Sequence, residues 1–441
     1  MLDETEPGTF DEPKVFTAEC SEAPEACKHC GVIGRLYKHG PLTVEYKDAP
    51  AFGHRVVIKA VVQRYRCRDC GKTMMQPLPG IDSRRSMTER LIRYIEEQSI
   101  YQTAASLERI LGVDEKTIRE IGDAYLIRAM KAHVVEAPLV LGVDELTILG
   151  KKRSIFVDIV DKKLLDIIDS MDKQAVVRWM NNLPNKERVQ VVTMDMWGAY
   201  RNVVAEVMPW AICVVDKWHI VSKANGKLDA VRNRFRRTAT NKRDRRNPHR
   251  GRRLLHAHGK NLTVQRRFLL DGVLLNNPLL NDAWNAKEGF YAIWETNDRA
   301  EAERRFVAWE KSIPDTVPEF KDLAKTVRDW HVEIFNYFKR PFTNAYTEAR
   351  NRLVKDFARA GRGYRFPKIR AKAVLAQPLT SQPLVVCELC LRRFENDMSH
   401  SSIQEDPNHP GKMRLLCRPC TIDVHNVRMM DHWGFSTPKS G

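Results

Sequence analysis

The chain has no apolar run near the roughly 18 residues that a membrane span requires, which argues against a helical membrane protein. Its opening stretch, "MLDETEPGTFDEP", lacks the basic start and apolar core of a secretory signal. A cytoplasmic protein is the expectation. Acidic residues are in short supply: 73 Lys and Arg stand against 56 Asp and Glu, a formal charge of +17. That excess repels itself unless a polyanion answers it, so nucleic acid is the leading partner; a basic but unspecialised surface is the alternative. At 441 residues the chain can bury a large core and hold several domains.

Cysteine is scarce outside two clusters. Of ten, four form Cys27-x2-Cys30 and Cys67-x2-Cys70, and four form Cys387-x2-Cys390 and Cys417-x2-Cys420. Cys20 and Cys213 stand apart. In a reducing compartment, paired CxxC units read as zinc sites, because two such pairs complete a tetrahedron of thiolates. Redox pairs or inert core cysteines are the alternative. Four thiolates leave no open coordination position, so two structural Zn2+ ions are expected rather than catalytic ones. Beyond these quartets no internal repeat is apparent.

Residues 1–20 are acidic and proline-bearing, and a disordered tail is expected there. Residues 21–80 form a zinc-binding domain: "LTVEYKD" and "HRVVIKAVVQRYRCRDC" alternate apolar and polar like strands of a small ribbon. Arg64, Arg66, Arg68 and Lys72 cluster beside its second CxxC and suit phosphate contacts. Over 86–132 the period becomes helical. "TAASLERILGVDEKTIREIGD" reads as a helix, a Gly112-Val113-Asp114 turn and a second helix, the plan of a helix-turn-helix DNA-binding domain. Ala104, Ala105, Leu107, Ile110 and Leu111 supply the apolar side of the first helix, and Ile118, Ile121 and Gly122 that of the second. Asp114 is placed to cap the second helix. Glu115, Lys116, Thr117, Arg119 and Glu120 are left to face a groove; a plain helical hairpin is the alternative.

Residues 137–222 alternate strand and helix. "PLVLGVDELTI", "RSIFVDIVD" and "KLLDIIDSM" follow at hairpin distances. The helix "KQAVVRWMNNL", the strand "RVQVVTMDMW", the helix "GAYRNVVAEVM" and the strand "AICVVDKWHI" come next. Three strands, helix, strand, helix, strand, helix is the order of a ribonuclease H-like α/β fold, with a meander followed by helical crossovers. The expected catalytic domain spans 137–237 and 341–375. It is interrupted over 238–340 by a basic segment and an all-α insertion rich in tryptophan. From 232 to 253 the chain carries eleven Lys or Arg and one acid. That run is either a solvated loop or a nucleic-acid contact, the latter through residues such as Arg245, Arg246, Arg252 and Arg253.

Two acids close apolar strands: Asp144 in the first and Asp195 in the fourth. In a mixed sheet of this order those strands are neighbours. Glu348, on the helix after the insertion, can approach from the side. Clustered carboxylates repel one another unless divalent cations sit among them, and hard oxygen ligands suit Mg2+ or Mn2+. Each acid has a plainer role available: Asp144 as a solvated strand end equivalent to Glu145, Asp195 as a helix cap, Glu348 as a partner of Arg352 one turn on.

The strings "LVLGVDELTI", "VVTMDMWGAYRNVVAEVMPWAICVVDKWHIVSKAN" and "TNAYTEARNRLVKDFARAGRGYRF" resemble the DDE transposases of bacterial insertion sequences, most closely the ISL-three type. The resemblance spans roughly residues 25–375. It implies catalytic Mg2+ or Mn2+ held by Asp144, Asp195 and Glu348, with Asp216 and His219 of "DKWH" in support. It further implies recognition of terminal inverted repeats through Lys116, Thr117, Arg119, Arg64 and Arg66. DNA cleavage and strand transfer, a homodimer or larger assembly on paired ends, and a bacterial, nucleoid-associated location are also implied. Ala349 departs from the glycine usual after the family's Glu. The quartet within 380–441 is an extra, treble-clef-like module; an HNH nuclease there lacks the paired histidine, since only isolated His400, His409, His425 and His432 are present. A non-catalytic zinc and helix-turn-helix regulator derived from a transposase is the alternative function.

Overall fold

The computed structural model describes residues 12–82, 84–238 and 252–376, with four short strands between 385 and 417. The described residues divide into two compact units, one from within 1–134 and 354–376 and the other from within 135–353 and beyond 376.

The first unit is built on a long hairpin. Strands β2 (Leu36–Ala51) and β3 (His54–Cys67) pair antiparallel, and β1 (Lys14–Glu19) adds in parallel to β3. The sequence predicts disorder through residue 20, but "KVFTAE" is rich enough in β-branched and aromatic residues to pair along β3. Short strands β4 (Thr73–Met75), β5 (Ile81–Asp82) and β6 (Met87–Thr88) complete the sheet, β4 on β3 and β6 on β2. Helix α1 (Glu89–Tyr101) follows at once, capped by the Thr88 hydroxyl, which accepts from Leu91 N–H at 3.0 Å.

Helices α2 (Ala104–Leu111) and α3 (Glu115–Ala132) stand where the apolar period places them. Gly112 ends α2 at φ +63, a left-handed value that suits glycine. Asp114 caps α3, accepting from the N–H groups of Lys116 and Thr117 at 3.1 Å each. Leu107, Leu111, Ile118 and Ile121 are buried with Leu91 and Ile95 of α1, whereas Ala105 and Ile110 are exposed. The ribbon grips this motif: Lys47 Nζ donates to Gly112 O at 2.5 Å and Arg55 to Arg109 O at 2.6 Å, satisfying carbonyls that the end of α2 leaves free.

The second unit holds a mixed five-stranded sheet. Strands β7 (Val140–Ile148), β8 (Lys151–Asp158) and β9 (Lys163–Ile168) form an antiparallel meander. After α4 (Lys173–Asn181), strand β10 (Val191–Met194) pairs parallel to β7. After α5 (Gly198–Val207), strand β11 (Ile212–Val215) pairs parallel to β10, giving the order β11-β10-β7-β8-β9. Val176 and Met180 of α4 and Val203, Val204 and Val207 of α5 are buried in one core with Val143 and Phe156 of the sheet.

After helix α6 (Lys217–Thr238) the described residues form α7 (Arg252–His256), α8 (Val264–Leu275), α9 (Pro278–Ala292), α10 (Arg299–Lys311), α11 (Glu319–Asp329) and α12 (His331–Phe335), with no strand among them. Trp284 and Trp309 are buried here among Phe290, Phe306 and Phe320. Helix α13 (Ala345–Ala360) then returns to the sheet. At Gly142 a Cβ would stand 2.9 Å from Thr347 Oγ1 and 2.6 Å from Val157 Cγ2, so a side chain there would lift α13 off β7. The last residues of α13, with α14 (Phe366–Leu375), cluster with the first unit rather than with the sheet the sequence assigns them to. The reason is local: the buried Lys372 donates to Ser99 O and Gln102 O at the end of α1, at 2.5 and 2.9 Å. No helix among the described residues is long and apolar enough to cross a membrane.

Candidate active site

The parallel registers place three aspartates in one row. Met194 of β10 lies opposite Val143 of β7 and Val215 of β11. One residue further along stand Asp195, just past the end of β10, Asp144 within β7, and Asp216, just past the end of β11. Side chains alternate along strands, so acids at matching register share a face.

Asp144 is buried, at 6% exposure. Its carboxylate accepts from Glu145 N–H at 2.7 Å and from Asn351 Nδ2 at 2.7 Å. Burial pushes the Asp144 carboxyl up to about 7, and the nearby Asp195 charge adds to that; the Glu145 amide, His219 and Asn351 oppose it. The neighbouring Glu145 is engaged elsewhere, 2.9 Å from Lys152. Asp195 is not the cap of α5: that position is Trp197, and no side chain caps the helix. Instead, an Asp195 carboxylate oxygen lies 2.8 Å from His219 Nε2. Burial draws the His219 pKa down, but the adjoining Asp195, with Asp216 and Asp144 beyond, outweighs burial and the net shift is upward.

Asp216 is almost wholly buried and caps α6. One carboxylate oxygen accepts from Trp218 N–H at 3.0 Å and the other from Asn344 N–H at 3.1 Å. Glu348 sits in the first turn of α13, 3.8 Å from His219 Nε2. Among the described residues it forms no ion pair with Arg352. The tightest grouping is therefore Asp216, His219 and Glu348, each offering an atom within 4.8 Å of the others. Asp144 and Asp195 flank that group, and His219 joins the acids.

Two asparagines escape motif reading. Asn344 donates Nδ2 to Val143 O at 3.2 Å and accepts from Thr193 Oγ1 at 2.6 Å, tying the start of α13 to β7 and β10. Asn351 holds the Asp144 carboxylate. The spacing 344, 348, 351 places all three on one helical face, a signal that helical periodicity from Glu348 could have supplied.

Cys27, Cys30, Cys67 and Cys70 converge: Cys27 Sγ lies 3.7 Å from Cys70 Sγ, and Cys30 Sγ 3.7 Å from Cys67 Sγ. A Zn–S bond of about 2.3 Å gives a tetrahedral edge of about 3.8 Å, so the four sulfurs fit a zinc ion.

A transposase family model of the ISL3 type matches residues 141–371. The chain belongs to the ISL3 family of DDE transposases. A second family model, the zinc-finger of transposase IS204/IS1001/IS1096/IS1165, matches residues 23–70. The chain is 23% identical over 357 residues to the transposase for insertion sequence element IS1001 of Bordetella parapertussis, covering 78% of this chain and 88% of that protein. It is an insertion-sequence transposase, and transposases bind DNA.

The described residues expected to touch DNA fall in both units. Lys116 is exposed at the start of α3, while the Thr117 hydroxyl donates to Asp114 and Arg119 pairs with Glu115. Arg64 and Arg66 are exposed on β3, with Arg66 also holding Gly71 O at 3.0 Å beside the second cysteine pair. Arg252 lies 2.9 Å from Asp229, and Arg253 is exposed. Arg245 and Arg246 lie outside the described residues, as do the side chains of Cys387, Cys390, Cys417 and Cys420.

Proposed function

We propose that the chain cuts the ends of its insertion sequence and joins them to target DNA, with Asp144, Asp195 and Glu348 holding catalytic Mg2+ or Mn2+. The strand order, a meander extended by two parallel strands, supports a ribonuclease H-like reading of the sheet. The single observation that carries the proposal is the row of acids on adjoining strands, approached by Glu348 across the shared imidazole of His219. Such a set of hard oxygen donors, with a carboxyl raised by burial and further by its neighbour's charge, fits divalent cations. Bound there, the metal supplies Lewis acidity at the scissile phosphate and eases deprotonation of the attacking water or 3′-hydroxyl.

The chain's own residues orient this site. Asn351 fixes the rotamer of Asp144, Asn344 binds the strand ends to α13, and His219 holds Asp195 toward Glu348. Asp216 supports His219 by capping its helix. The first zinc module and the α2–α3 motif bring terminal inverted repeats to the protein, with Lys116, Thr117, Arg119, Arg64 and Arg66 on the surface concerned. Arg245, Arg246, Arg252 and Arg253 add backbone contacts. Paired ends call for a homodimer or larger assembly, in the cytoplasm at the nucleoid. The cysteine quartet near the C-terminus holds a second structural Zn2+.

The test is strand cleavage of DNA carrying the element's ends, in Mg2+. Wild type is expected to nick it, and Asp195→Asn to bind without nicking. Equal cleavage by both would remove Asp195 from the mechanism. Wild-type binding to a defined site with no cleavage would favour a regulator.

A further inference from the structure

The acid row leaves unused a built cationic turn in the first unit. Where α13 ends, Gly361-Arg362-Gly363-Tyr364 folds back, and Tyr364 N–H donates to Gly361 O at 2.8 Å. A Cβ on Gly361 would stand 1.9 Å from the Tyr364 ring, so the ring occupies space that only glycine leaves. Lys368 Nζ lies 4.5 Å from the centre of that ring and 2.6 Å from an Asp123 carboxylate oxygen on α3. Tyr364 and the Lys368–Asp123 pair thus fasten the turn alongside the second helix of the helix-turn-helix.

Between α3 and the turn runs a groove of about 730 Å³. Five cations line it, Arg119, Arg362, Arg365, Lys368 and Arg370, against two acids, Glu115 and Asp123. Both acids are already paired, with Arg119 and Lys368. Arg362 and Arg365 are exposed and make no ion pair with any described residue. A turn offering two unpaired cationic side chains at the flank of α3 suits phosphate oxygens, whose charge they answer.

We propose that the Arg362–Arg365 turn is a DNA-backbone clamp, holding phosphates beside the stretch that α3 reads. The clamp rests on the transposase reading for its ligand. It differs from the base-reading surface of α3 because phosphate contacts position without specifying sequence. Exposed Ile127 borders the groove and does not change the charge argument.

The experiment measures the full chain's affinity for a random-sequence duplex and for end DNA as salt is raised. The double variant Arg362→Ala/Arg365→Ala is expected to reduce the slope of log affinity against log salt by about 2, close to one per phosphate lost. Both DNAs should weaken by the same factor. Arg362→Lys/Arg365→Lys should restore the slope, because charge rather than packing carries it. Arg359→Ala, whose arginine already pairs with Asp356 at 3.3 Å, should leave it unchanged. An unchanged slope in the alanine variant would overturn the clamp while leaving the transposase reading intact. So would a loss that lysine does not rescue, or equal competition by polyglutamate. A wild-type chain that binds no DNA would overturn both.

Discussion

His219 Nε2 stands 2.8 Å from an Asp195 carboxylate oxygen and 3.8 Å from one of Glu348, so one imidazole links the acid of a strand end to the acid of a returning helix. On the proposed mechanism His219 acts as a positioning residue. His219→Ala is expected to slow cleavage about 10–100-fold, the usual scale for groups that orient metal ligands. End-DNA affinity and thermal midpoint should stay near wild type. An equal loss of binding and stability would mean that His219 only supports the fold.

Asn351 governs Asp144 in a comparable way. With the 2.7 Å bond removed, Asn351→Ala leaves the carboxylate free to turn. The Mg2+ concentration for half-maximal cleavage should rise about 10–100-fold, with the maximal rate largely recovered at saturating metal. A variant whose metal requirement matches wild type would show that the bond does not orient the ligand.

Zinc should be needed for DNA binding through the ribbon's grip on α2. Cys27→Ser is expected to lower zinc content by one ion per chain, measured by atomic absorption. Without the metal the ribbon loses its organising centre. Lys47 and Arg55 then no longer hold the carbonyls at Gly112 and Arg109, and affinity for end DNA should fall. Full zinc content in the variant would place the ion elsewhere.

Acid should loosen the first unit through Asp48. Burial raises the Asp48 carboxyl, but the Arg90 guanidinium, the Thr88 hydroxyl and the Ala49 amide outweigh it and hold the pKa below the usual carboxylate range. A lowered folded pKa stabilises the protein above the unfolded value of about 3.9. That contribution is lost as pH falls through the folded value. Asp48→Asn should destabilise at pH 7 by about 2 kcal/mol, since Arg90 is screened by solvent. The difference from wild type should shrink below pH 4. A constant gap across that window would count against the pairing.

Much of this was legible because chemistry followed period. The strand alternation of 137–215, the helix-turn-helix spacing and the first cysteine quartet all translate directly into local geometry. Asp144 and Asp195 stood out as candidates because an acid closing an apolar strand is conspicuous. What the sequence could not supply was the register that adds Asp216 to the row, or the partner of Asn351 two hundred residues away. Residues 354–376 read as a helix but not as one bound to α1 and α3, because the buried Lys372 contacts depend on tertiary packing. Arg252, at the start of α7, read as free charge, yet Asp229 of α6 answers it.

The most direct test of the proposed shared metal site is to load the chain with Fe2+ and generate hydroxyl radicals with ascorbate and peroxide. Backbone cuts should fall beside Asp144, Asp195 and Glu348 together, and Mg2+ should suppress all three in parallel. Cuts at only one of these positions, or clusters elsewhere that Mg2+ suppresses, would contradict a metal held jointly by the three acids.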